Sequence, residues 1–93
     1  MAITYLNGNW QAPETALVSA LDRGFLFGDG VYEGLAVYNA KVFECGRHIH
    51  RLRRSLDAIR LDPGVSDQWL TDVMQAGIDR SGLKVASCYL QIS

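Results

Sequence analysis

Apolar residues recur along this chain at two spacings, and the change from one to the other separates strands from helices. Ile3 to Leu6 and Asn9 to Gln11 flank Asn7-Gly8. Asn-Gly supplies the two positive φ angles of a type I′ turn, so the chain is expected to open with a β-hairpin. Glu14 to Leu21, after Pro13, fits helix and strand equally. Asp22 to Gly30 reads as a loop with three glycines, in which Phe25 and Phe27 are expected to anchor against an apolar neighbour. Val31 to Tyr38 is rich in β-formers, breaks at Asn39-Ala40 and resumes from Lys41 to Glu44, a second hairpin.

Strand alternation puts Val31, Glu33, Leu35 and Val37 on one face and Tyr32, Gly34, Ala36 and Tyr38 on the other. Two phenols around two small residues either frame a shallow depression with hydroxyls at its ends or admit a close-packed neighbour over Gly34 and Ala36. Alternation leaves both readings open. The period then lengthens to that of a helix: Ile49, Leu52, Leu56 and Ile59 form one apolar stripe within Gly46 to Leu61, which Asp62-Pro63-Gly64 is expected to stop. A second helix is expected from an N-cap at Ser66, with Asp67 near its positive end, through Trp69, Leu70, Val73 and Met74 to Gly82, with Gly77 as an interior weak point. Lys84 to Ser93 reads as a strand with no turn residue or polar tail to close it, the pattern of a chain cut in its last strand. Two hairpins, two helices and a further strand make an α+β unit.

With 93 residues, the chain has room for one domain and a modest core. Its 48% apolar and 20% charged content is that of a folded segment, and a net charge of −1 gives no global field to draw nucleic acid or an anionic membrane. Met1 to Tyr5 has neither a basic stretch nor a long apolar one, so Cys45 and Cys88 read as free thiols of a reducing cytoplasm, Cys88 as a small core residue. No metal is expected, because Cys45, His48 and His50 lack a second cluster to complete a tetrahedron. They also lack an Asn or Asp placed to orient a Cys-His nucleophile.

Charge is concentrated locally: Arg47, Arg51, Arg53, Arg54 and Arg60 face only Asp57 within the first helix. Such a face is either solvated surface or an anion site. In the second case Arg47 and Arg51, near the positive helix end, are better placed for a phosphate than Arg60. No aromatic residue interleaves these arginines to stack on bases, which argues against nucleic acid. Gly28-Asp29-Gly30 leads into a strand, not into a helix whose amides would hold a phosphate.

The segment Asp22-Arg23-Gly24-Phe25-Leu26-Phe27-Gly28-Asp29-Gly30-Val31-Tyr32-Glu33 resembles that of the fold type IV (class IV) pyridoxal-phosphate-dependent aminotransferases, most of all those acting on D-amino acids. Tyr38-Asn39, Phe43 and His48-Ile49-His50-Arg51-Leu52 match the family's hairpin and H-x-x-R-L helix start in register, and Tyr5-Leu6-Asn7-Gly8 fits its opening hairpin. The resemblance implies that residues 1–93 are the small N-terminal α+β domain of such an enzyme, with the large C-terminal domain absent and a cytoplasmic homodimer as parent. It implies amino transfer between a (D-)amino acid and a 2-oxo acid, with pyridoxal 5′-phosphate as cofactor. Arg51 would bind the cofactor phosphate and Tyr32 would help hold the substrate carboxylate. No catalytic residue is implied within the chain: the Schiff-base lysine lies beyond Ser93, Lys41 and Lys84 stand outside the family's catalytic context, and the chain alone is expected to be inactive. Gly34-Leu35 is reminiscent of branched-chain members. Branched-chain aminotransferases and aminodeoxychorismate lyases of the same fold are therefore alternatives, and a non-enzymatic dimerisation or regulatory domain is the alternative of another class.

Overall fold

A computed structural model of the chain describes residues 2–93. Strands β1 (Thr4–Leu6) and β2 (Asn9–Gln11) form the expected hairpin, with Tyr5 opposite Trp10 and Asn7 and Gly8 at φ 48° and 94°. Glu14 to Leu21 is neither α-helix nor strand. Pro13–Thr15 makes one 3-10 turn, begun by the fixed φ of proline, and the chain continues without regular structure.

The stretch read as a loop begins instead with a short helix, α1 (Arg23–Phe27). The Asp22 carboxylate accepts from the backbone N–H groups of Gly24 and Phe25 at 2.9 and 3.3 Å, satisfying donors that a helix start leaves open. Phe25 and Phe27 are 69% and 66% exposed, so they do not anchor this segment within the chain. Phe27 meets the Arg23 guanidinium, 5.1 Å from its ring centre. Gly30 is required by close approach, since a Cβ there would lie 2.9 Å from Ser93 Cβ and 3.0 Å from the Ile92 carbonyl oxygen.

Strand β3 (Val31–Tyr38) is the middle of a three-stranded antiparallel sheet, between β4 (Lys41–Val42) and β5 (Ala86–Ile92), with Gly34 opposite Tyr89 and Leu35 opposite Cys88. β4 is shorter than the alternation suggested, because Glu44 at φ 56° turns the chain into α2 (Cys45–Ala58). That helix also stops before Leu61: Arg60 at φ 56° reverses the chain ahead of Asp62-Pro63-Gly64. Ile59 consequently falls out of the apolar stripe and is 42% exposed. Helix α3 (Asp67–Ser81) is bounded as expected, with Ser66 Oγ accepting from Trp69 N–H at 3.0 Å and Gly82 at its C-terminus.

Gly77 has a reason the sequence did not disclose: a Cβ there would sit 3.2 Å from the Trp10 ring, so its absence lets the opening hairpin lie on α3. The Arg80 guanidinium lies over the same ring, 4.7 Å from its centre. The core joins Val31 and Leu35 of β3 to Ile49, Leu52 and Leu56 of α2 and to Leu70 and Met74 of α3. Cys88 packs half-buried against it, where burial, and then the neighbouring Cys45, push its thiol pKa up. No helix among the described residues is long and apolar enough to cross a membrane.

Candidate functional site

The site begins with a carboxylate in an unusual place. Alternation along β3 puts Glu33 on the inward face between Val31 and Leu35, where it is 5% exposed. An ionised group removed from water to this degree requires charged or hydrogen-bonding partners. α2 supplies two from one face of its first turns, His48 and Arg51, three residues apart. Arg51 donates from Nη2 to Glu33 Oε1 at 2.7 Å and from Nε to Oε2 and Oε1 at 2.9 and 3.2 Å. His48 Nδ1 stands 2.7 Å from Oε1.

The hydrogen bonds from Arg51 hold the Glu33 carboxyl below its usual pKa range. Burial opposes this and His48 reinforces it. Glu33 in turn strengthens the protonated state of Arg51. The group therefore runs from the edge of the core to the surface, with the arginine side chain still 63% exposed.

Around Arg51 the charge remains positive. Arg47, His48, His50, Arg51 and Arg54 line an open concavity of about 590 Å³ in which Glu44 is the single acid. Glu44 is taken by Arg47 at 2.8 Å. Arg54 has no hydrogen-bond or ion-pair partner among the described residues. Arg53 of the helix and Arg60 beyond its end are drawn elsewhere. Arg53 bonds Asp67 at 2.6 Å and the Val65 carbonyl, and Arg60 borders a smaller concavity with Arg23 and Asp29. A guanidinium anchored along one edge, in a hollow lined by further arginines, can hold a phosphate or carboxylate.

Tyr32 is on the outer face of β3, opposite in direction to Glu33, and is 66% exposed. Its ring stacks on Tyr89 of β5 with centres 5.8 Å apart. A Cβ on Gly34 would meet no atom within 4 Å, so no neighbour packs closely over it. Among the site residues read from the sequence, Arg51 thus joins Arg47 and Arg54, and Tyr32 occupies the other side of the strand. Sequence reasoning gives no role to Glu33 or Tyr89, and has His48 in the H-x-x-R-L motif without a partner on β3. A signal for Glu33 existed: a carboxylate at an inward position of an apolar strand face seldom lacks a cationic partner.

Comparison with known proteins places the chain in a family. The chain belongs to the class IV amino-transferases, whose family model matches residues 30–93. Its relatives include the D-alanine aminotransferase of Staphylococcus aureus (strain N315), 38% identical over 87 residues that cover 94% of this chain and 31% of that protein. The crystal structure of the Escherichia coli branched-chain amino acid aminotransferase superposes with a TM-score of 0.85 at 25% identity, over 91% of this chain and 29% of that one. The T.th. branched-chain amino acid aminotransferase, complexed with N-(5′-phosphopyridoxyl)-L-glutamate, superposes with a TM-score of 0.82 at 26% identity, over 97% of this chain and 31% of that one. The chain spans about a third of the length of the curated relatives it matches.

Proposed function

We propose that residues 1–93 are the N-terminal domain of a longer pyridoxal-phosphate-dependent aminotransferase that moves an amino group between a D-amino acid, such as D-alanine, and a 2-oxo acid. The observation that carries this reading is the Arg51 guanidinium, bound along one edge by the buried Glu33 and exposed on the other within the arginine-lined hollow. Arg51 Nη1 has no partner among the described residues, which leaves it free to donate to a phosphate oxygen. Arg47 and Arg54 add positive field to the same place. The residues fit the phosphate of pyridoxal 5′-phosphate, and a phosphopyridoxyl amino acid is what the T.th. enzyme holds.

When bound, that cofactor supplies the electron sink that lets an amino acid lose its Cα proton. The residues of this chain bind and orient. Arg51 fixes the phosphate end, and the Tyr32 hydroxyl, exposed on the outer face of β3, is offered to the substrate carboxylate. The 38% identity to a D-alanine aminotransferase supports the D-amino acid. A second reading, a branched-chain amino donor, has the structural likeness to the E. coli enzyme and the open space at Gly34 in its favour. A homodimeric parent is supported by the exposed apolar run of Leu17, Leu21, Phe25 and Phe27, and a cytoplasmic one by the free thiols of Cys45 and Cys88.

The test is a transamination assay on the full-length protein loaded with pyridoxal 5′-phosphate, with 2-oxoglutarate as acceptor and D-alanine or L-leucine as donor. Pyruvate formation from D-alanine is the expected result. Faster turnover of L-leucine would favour the second reading, and no transfer from any D- or L-amino acid would overturn both.

A further inference from the structure

A carboxylate on a phosphate-binding arginine poses a question that charge alone answers wrongly. Glu33 cancels positive charge at the place where an anion is to bind, so a purely coulombic account makes it a competitor of the phosphate. The geometry points to the opposite role: we propose that Glu33 is a positioning residue, which acts through Arg51 to hold the guanidinium ready for the cofactor phosphate, with His48 fixing Glu33 in turn. The proposal rests on the assignment of Arg51 to that phosphate.

Three observations support it. Glu33 is 5% exposed and does not line the arginine hollow, so its oxygens do not face an incoming anion. Both oxygens are engaged by Arg51, at 2.7, 2.9 and 3.2 Å, and Oε1 also has His48 Nδ1 at 2.7 Å, so the carboxylate is held from two positions of α2. The guanidinium is planar and its donors form a rigid fork. Once Nε and Nη2 are committed to Glu33, Nη1 is the nitrogen left without a partner among the described residues. A long side chain that is 63% exposed would otherwise lose rotamer freedom when it binds, and the contact with Glu33 removes that loss beforehand.

The two accounts differ in sign. Glu33→Gln removes one negative charge beside the site. If Glu33 competes with phosphate, the variant binds pyridoxal 5′-phosphate more tightly; if Glu33 positions Arg51, it binds more weakly. The experiment is an absorbance titration of the full-length apoprotein with pyridoxal 5′-phosphate and, separately, with pyridoxal, which lacks the phosphate. Glu33→Gln should raise the Kd for pyridoxal 5′-phosphate about tenfold and leave that for pyridoxal within about twofold, and Glu33→Asp, which keeps the carboxylate, should recover part of the loss. In an Arg51→Ala background, Glu33→Gln should have no further effect on the phosphate-bearing ligand.

An unchanged or lowered Kd for pyridoxal 5′-phosphate in Glu33→Gln overturns the proposal, as does an equal loss for pyridoxal. Arg51→Ala separates the two levels. If it leaves cofactor affinity intact, the assignment of Arg51 falls and the positioning role with it. If it weakens binding while Glu33→Gln does not, only the role of Glu33 falls. Should Glu33→Gln fail to fold, Arg51→Lys serves instead, because lysine keeps the charge but cannot make the bidentate contact with Glu33. It should show a similar loss, and affinity equal to that of the unaltered protein would overturn the proposal.

Discussion

On β3 the inward side chains Val31, Glu33, Leu35 and Val37 are all buried, while Tyr32 and Tyr38, on the same eight residues of backbone, are 66% and 53% exposed. The inner face is settled by this chain alone. Val31 and Leu35 enter a core shared with α2 and α3, and its charged member is matched by Arg51 and His48. The outer face makes few demands of the fold: Tyr32 leans on Tyr89, and Gly34 has open space above it. One strand thus serves as scaffold on one side and as a presenting surface on the other, and its inner charge reaches the surface through a residue of the neighbouring helix.

Truncation on each face should separate these roles most sharply in stability. Leu35 is 3% exposed, and Leu35→Ala should cost about 2–5 kcal/mol in denaturant unfolding of the full-length protein, whereas Tyr32→Phe should cost less than about 0.5 kcal/mol. Equal losses would break the distinction. In catalysis the order reverses: Tyr32→Phe should raise KM, lower kcat, or both, with the bound-cofactor absorbance spectrum retained. Unchanged kinetics across several D- and L-amino acids would mean that the carboxylate is held elsewhere.

A smaller effect is expected with pH. Interaction with Arg51 and His48 depresses the Glu33 pKa below its ordinary 4.5, so its contribution to stability is present above that value and is lost as pH falls through the folded-state value below it. The stability difference between the unaltered protein and Glu33→Gln should therefore shrink as pH drops below 4.5. A difference that stays constant to the acid limit of folding would mean that the ionised carboxylate contributes nothing. The smallest change is expected at Gly34. Valine placed there meets open space, so Gly34→Val should shift unfolding by no more than about 0.5 kcal/mol. A larger loss would show that the outer face is packed after all.

The inner face was legible because burial imposes a period, and period survives in a sequence. β3, the stripe of α2 and both ends of α3 follow from alternation, helical spacing and the caps Ser66 and Gly82. Where the sequence reading erred, a backbone conformation decided the matter. Glu44 and Arg60, both in the left-handed region without being glycine, shorten β4 and α2, and no side-chain pattern announces them. α1 is hidden by Gly24 within it and Gly28 at its end, although Asp22 carries the cap signal. Phe25 and Phe27 were expected to pack and stand exposed, since the segment from Leu17 onward finds no apolar cover within the chain. Arg51 and Tyr32 could be singled out by resemblance, but the contact between Glu33 and Arg51 joins positions 18 apart in sequence and needed the packing of α2 on β3 to become visible.

The central proposal is that one arginine of α2, and not the helix's general positive charge, holds the cofactor phosphate. Arg51 and Arg54 line the same hollow, are both exposed, and differ in that only Arg51 is held by Glu33. Titrating full-length Arg51→Ala and Arg54→Ala with pyridoxal 5′-phosphate compares them directly. A Kd raised about tenfold or more in Arg51→Ala and by less than about twofold in Arg54→Ala is the predicted result, and equal affinities in the two variants would contradict it.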